Sequence, residues 1–103
     1  MDTLTIKNAE IKVNEEGYFT DPSQWNEDIA TEMAKQENIE LTDKHFEVLN
    51  FLRGKYAEEV PLSIRKVGKS GVVNIKEFYA LFPGGPLKVS SKLAGIPKPV
   101  SCV

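Results

Sequence analysis

Apolar and polar residues alternate at the start of the chain. Leu4, Ile6, Ile11 and Val13 flank Asn8-Ala9. This spacing predicts two short strands, Thr3–Lys7 and Glu10–Val13, joined by a tight turn. A lone hairpin is marginal in water, so this one must lie on another element. Gly17-Tyr18-Phe19 then leads to Asp21-Pro22, a turn signal. From Trp25 the period lengthens. Ile29 and Met33, continued by Ile39 and Leu41, predict a helix over Ser23–Gln36, with Ser23 as N-cap and Glu27 and Asp28 in its first turns. Thr42 caps the next helix. Its apolar stripe of His45-Phe46, Val48-Leu49 and Phe51-Leu52 runs to about Tyr56.

Pro61 breaks that pattern. Ser63–Val67 reads as a short helix ending at Gly68. Asn74 with Glu77 three residues on marks another start, and Ile75, Phe78, Tyr79, Leu81 and Phe82 supply its apolar face. Pro83-Gly84-Gly85 stops it. Pro86 opens a last helix, Pro86–Ala94, and Gly95 takes its C′ position. Beyond Gly95, Pro97 and Pro99 forbid helix and favour an extended tail. The expected fold class is α+β and mainly α. A small helical bundle carries an N-terminal hairpin and a mobile C-terminal arm. The chain is one domain, with residues 1–95 as its body and residues 96–103 as the arm.

The length of 103 residues agrees with one domain of limited core. Composition is that of an ordinary globular protein, 41% hydrophobic and 27% charged, with no apolar run long enough to span a bilayer. The first residues, Met1-Asp2-Thr3-Leu4, lack the basic and apolar regions of a signal peptide, so a cytoplasmic location is expected. One cysteine forms no internal disulfide, and one cysteine with one histidine makes no Cys/His zinc site. No cofactor or metal is expected. The net charge of −2 hides a split. Residues 1–60 carry 14 acidic and 6 basic side chains, a balance of −8. Residues 61–103 carry 7 basic side chains and one acidic, Glu77, a balance of +6. Either the C-terminal half meets an acidic partner, or the halves complement each other on one surface.

The chain ends Ala94-Gly95-Ile96-Pro97-Lys98-Pro99-Val100-Ser101-Cys102-Val103. Physically this is a thiol on a stiff arm. Gly95 is a pivot, and Pro97 and Pro99 restrict the segment to extended geometry. At ~3.1 Å per residue the stretch from Ile96 to Cys102 reaches roughly 20 Å. Lys98 favours a thiolate at Cys102 and the terminal carboxylate opposes it, which leaves the thiol's acidity open. From the residues alone Cys102 is either this reactive thiol or an ordinary terminal cysteine.

The tail resembles the C-terminal arm of the DsrC/TusE family, with its Pro-Lys-Pro segment and penultimate cysteine. Other segments occur in the family's order: Gly17-Tyr18, Trp25, Leu41-Thr42-Asp43-Lys44-His45-Phe46, Pro61-Leu62-Ser63-Ile64-Arg65 and Tyr79-Ala80-Leu81-Phe82-Pro83-Gly84-Gly85-Pro86. The resemblance covers nearly the whole chain. It implies a sulfurtransferase that carries sulfane sulfur as a persulfide on Cys102. The implied partners are a sulfur-donor protein complex and a sulfur acceptor, either a tRNA thiolase or a sulfite reductase. By the same resemblance, members working with dissimilatory sulfite reductase carry a second cysteine eleven residues before the penultimate one. Here that residue is Ser91. A hydroxyl cannot close a disulfide, so persulfide relay remains, as in the branch that supplies tRNA 2-thiouridine synthesis. The alternative is a partner subunit of dissimilatory sulfite reductase.

Other residues are weighed beside the tail. Arg65, Lys66 and Lys69 cluster after Pro61. Together with Lys92 and Lys98 they are candidates to support a thiolate or an acidic partner, against a plain solvated surface. Gly95, Pro97 and Pro99 are the arm's candidate positioning residues. His45 reads as a core or rim histidine ahead of a proton-transfer group, and Trp25, Phe46, Phe51, Tyr79 and Phe82 read as core. Ser63–Phe82 has the outline of a helix-turn-helix, which would suit a DNA-binding regulator. The acidic net charge and thin basic cluster argue against direct nucleic-acid binding. A monomer without membrane contact is expected.

Overall fold

The computed structural model describes residues 2–6 and 8–98. Strands β1 (Asp2–Ile6) and β2 (Ala9–Val13) form an antiparallel hairpin in which Ile6 pairs with Ala9 and Leu4 with Ile11. The turn between them holds Asn8 at φ 69°, a left-handed conformation that asparagine tolerates. Ile6, Ile11 and Val13 face inward, while Leu4 is half-exposed at the ribbon's edge. The chain doubles back so that Phe19 bridges to Val13, which buries Tyr18 and Phe19 completely.

Five helices follow: α1 (Glu27–Gln36), α2 (Asp43–Ala57), α3 (Ile64–Gly68), α4 (Ile75–Leu81) and α5 (Pro86–Leu93). Side chains at Thr42 and Asn74 cap α2 and α4 as the sequence predicts, and Ser63, expected as the first residue of α3, is its cap. The expected start of α1 at Ser23 is displaced. Asp21 caps a single 3-10 turn over Pro22–Gln24, and the backbone at Trp25 is extended. Asn26 is the cap of α1, its Oδ1 accepting from the Ile29 amide at 2.9 Å. Two good caps five residues apart divide one predicted helix into two pieces. The Ser23 hydroxyl and then its amide donate to the Asp21 carboxylate, holding it below the usual carboxylate range.

The core joins the hairpin to the bundle through Ile11, Val13 and Phe19 on one side and Val48, Leu49, Leu52, Phe78, Phe82, Leu87 and Leu93 on the other. Helix α5 packs against α1, α2 and α4, so the element that carries the tail lies at the centre of the bundle. The aromatic residues divide. Phe82 is buried, and Trp25, Phe46 and Phe51 are partly buried against the core. Tyr79 is not core: it is 51% exposed. Phe78 and Phe82, four apart, take the one inward stripe of a seven-residue helix and leave Tyr79 outside it.

Candidate functional site at the root of the arm

The site is built on the end of α5. The Ala94 amide closes the helix on Ser90, and Gly95 adopts φ 67°, a left-handed conformation that favours glycine. The Ile96 amide then returns to the Ser91 carbonyl at 3.3 Å. The carbonyls left over at the helix end need donors, and two side chains from elsewhere in the chain supply them. Trp25 Nε1 donates to Leu93 O at 2.7 Å, and Arg53 Nη1 donates to Ala94 O at 2.9 Å. Arg53 Nη2 donates to Pro22 O at 3.1 Å, and its guanidinium lies 4.4 Å from the centre of the Trp25 ring. Burial pushes the Arg53 guanidinium down from its ordinary value, yet it remains protonated. Trp25 and Arg53 thus fix the direction in which the chain leaves the bundle.

Sequence reading missed Arg53. A signal was present: it follows Leu49 by four residues, so it sits at the edge of the apolar stripe of α2. Its partners are too far along the chain for any local pattern to name them.

The edge of the body does not coincide with residue 95. Ile96 is buried in the core and Pro97 is partly buried. Lys98 Nζ lies 3.0 Å from both carboxylate oxygens of Glu16. Pro97 and Lys98 line a groove of about 530 Å³ with Tyr56, Val60, Pro61 and Leu62. Arg65 belongs to an adjoining groove on the far side of Val60–Leu62. Lys92 lines another pocket with Glu16, the carboxylate that pairs with Lys98, and its Nζ lies 5.3 Å from the centre of the Tyr18 ring. Gly95, Pro97 and Lys98 therefore come together, Lys92 adjoins them through Glu16, and Arg65 stands apart in its own groove. Pro99 and Cys102 lie outside the described residues.

His45 is buried and fully engaged. Its Nε2 donates to Leu81 O at 2.9 Å, and its Nδ1 accepts from the Thr42 amide at 3.1 Å. That pattern makes His45 the link between α2 and α4. Among the described residues no three His, Cys, Asp or Glu side chains gather to hold a metal, and no helix is long and apolar enough to cross a membrane. The exposed side of α4 offers Ile75, Lys76, Glu77 and Tyr79, which is not a basic recognition face.

A family model described as "DsrC like protein" matches residues 5–103, a span that includes both Gly95 and Cys102. The chain belongs to the DsrC family. A relative named Sulfurtransferase TusE, from Photorhabdus laumondii, is 40% identical over the full length of both chains. A Sulfurtransferase TusE homolog from Haemophilus influenzae is 40% identical over 97% of this chain and 99% of its own. The solution structure of Allochromatium vinosum DsrC has a TM-score of 0.80 and 40% identity, covering 99% of this chain and 98% of that one. The oxidised γ-subunit of dissimilatory sulfite reductase from Archaeoglobus fulgidus has a TM-score of 0.83 at 31% identity, covering 99% and 100%. The hairpin on a helical bundle is thus the DsrC fold, as the resemblance implied.

Proposed function

We propose that this protein is a sulfur-relay sulfurtransferase that accepts sulfane sulfur as a persulfide on Cys102 and passes it to an acceptor protein. The carrying observation is the full-length match to sulfurtransferase relatives, together with a family match that runs through the penultimate cysteine. In the accepting step the Cys102 thiolate attacks the outer sulfur of a donor persulfide. The donor's sulfur–sulfur bond breaks, its cysteine leaves as a thiolate, and a new sulfur–sulfur bond forms on Cys102. The moved sulfur keeps its oxidation level, so neither oxidant nor cofactor enters the balance. Delivery repeats the step with the acceptor's thiolate as nucleophile.

The acceptor in this reading is a tRNA thiolase that makes 2-thiouridine. Three solved relatives are dissimilatory sulfite reductase or its γ-subunit. Against that role for this chain stands Ser91, a hydroxyl where the two-cysteine members have a thiol. The protein works as a monomer in the cytoplasm, with residues beyond Lys98 as its arm. The test is exposure to inorganic polysulfide followed by mass spectrometry. The expected result is a gain of one sulfur atom on the peptide containing Cys102, absent in Cys102→Ser. An unmodified wild type would overturn the reading.

A further inference from the structure

The chain beyond Lys98 is short, and this limits where a partner can stand. Ile96 is buried and Lys98 is paired with Glu16, so free length is counted from Lys98. Cys102 lies four residues further on. A fully extended chain advances at most ~3.6 Å per residue, which keeps Cys102 within about 14 Å of Lys98. Any protein that exchanges sulfur with Cys102 must therefore cover the surface around Lys98.

That surface has a distinct character. The groove of about 530 Å³ beside Pro97 and Lys98 continues across Val60-Pro61-Leu62 into a second groove of about 410 Å³. Phe51, Val60 and Leu62 give the second groove an apolar floor, and Lys55, Arg65, Lys66 and Lys69 form its rim. Among the described residues no carboxylate lines it, while Glu59 lines the first groove. Lys55 is shared with Glu58 at 3.7 Å, and Lys66 Nζ donates to Pro61 O at 3.1 Å. Arg65 and Lys69 pair with no carboxylate among the described residues. Tyr56, 43% exposed, lines the first groove beside Pro97 and Lys98. The charge split of the sequence thus acquires a location, since three of the basic residues after position 60 rim this groove.

We propose that the two grooves form one docking surface for the protein that accepts sulfur from Cys102. The segment it fits presents an apolar side chain to the Phe51–Leu62 floor and flanking carboxylates to Arg65 and Lys69. Apolar contact fixes the register, and the uncompensated cations speed and orient the encounter. This inference rests on the relay reading and adds the chemistry of its partner.

The test uses the full chain, with the host's tRNA-uridine thiolase as acceptor. Wild type and the double variant Arg65→Glu/Lys69→Glu are loaded with inorganic polysulfide, and the sulfur on Cys102 is measured by mass. Loaded protein is then titrated into the acceptor, and persulfide on the acceptor is followed with and without tRNA. Both proteins load equally, and the double variant needs about tenfold more protein for half-maximal transfer, with or without tRNA. Arg65→Gln/Lys69→Gln gives a smaller loss in the same direction. Lys76→Glu/Lys88→Glu, which lies outside both grooves, transfers like wild type. Equal half-saturation of the Arg65→Glu/Lys69→Glu variant and wild type overturns the docking surface. A difference confined to reactions with tRNA assigns the rim to RNA and overturns it equally. Failure of wild type to load strikes the relay reading instead, so the two failures are distinguishable.

Discussion

Trp25 lies so close against Gly95 that a Cβ at residue 95 would stand 2.7 Å from both Cβ and Cγ of the tryptophan. The same indole holds Leu93 O through its N–H. Two demands therefore coincide at Gly95, a left-handed backbone and the absence of a side chain. Gly95→Ala is expected to destabilise the fold by about 2–4 kcal/mol, the sum of backbone strain and overpacking. Gly17→Ala is the control. Gly17 has φ 90° but open space around it, so only the backbone cost of about 1–2 kcal/mol applies. Urea unfolding of both variants checks the difference. Equal losses would mean that the contact with Trp25 relaxes at no cost.

Arg53 is expected to matter more than its place on a helix surface suggests. It closes the end of α5, holds Pro22 O and stacks on Trp25. Arg53→Met keeps the aliphatic stem and removes the donors, which should cost about 1.5–3 kcal/mol. Arg53→Lys should recover little, because an ammonium cannot donate along both directions of the guanidinium fork. The measurement is again urea unfolding. A lysine variant as stable as wild type would show that charge, and not the planar fork, is what the site requires.

His45 separates a structural role from a chemical one. Replacing it with leucine leaves Leu81 O without its donor and the Thr42 amide without its acceptor. The expected loss is about 1–3 kcal/mol in unfolding free energy. Sulfur loading of Cys102 from polysulfide should proceed as in wild type once the folded fraction is equalised. Slower loading at equal folded fraction would give His45 a part in proton transfer.

The parts of the fold most legible in the sequence are those governed by local hydrogen bonds. Thr42 and Asn74 cap helices because their short side chains reach amides three residues ahead, a relation that spacing alone reveals, whereas Ser63 was read as the first helical residue and is the cap. Gly95 was legible for a similar reason, since a helix end after a run from Pro86 asks for a left-handed residue. Ser23 misled because Asp21, Ser23 and Asn26 are all competent caps, and the choice depends on Trp25 being drawn onto α5. That contact spans 68 residues and leaves no local trace. Tyr79 misled because a helix this short buries only one stripe. At the site, Gly95, Pro97 and Lys98 were legible as a group because they are consecutive in the chain. The grooves beside them were not, because they join α2, the loop to α3 and the tail only in three dimensions.

Ser91 offers the last test. Its Oγ is buried with no hydrogen-bond partner among the described residues, an arrangement that costs about 1–3 kcal/mol for a hydroxyl. A thiol is a weak donor that behaves as a small apolar group, so Ser91→Cys should not share that cost. The variant is expected to equal or exceed wild-type stability, by up to about 1 kcal/mol, with larger sulfur volume offsetting part of the gain. Its redox behaviour follows from burial. A disulfide between positions 91 and 102 requires Cα atoms roughly 4.4–6.8 Å apart and an exposed sulfur to attack. Position 91 has no exposure and sits on the central helix of the bundle. Oxidation should therefore link Cys102 between chains first, with the internal disulfide forming only as fast as the end of α5 opens. Non-reducing gels and peptide masses over a time course read both products. An internal disulfide that appears as quickly as the dimer would show that the native protein already lets the tail reach residue 91. The serine would then be what keeps this chain from a two-thiol cycle, and burial would not.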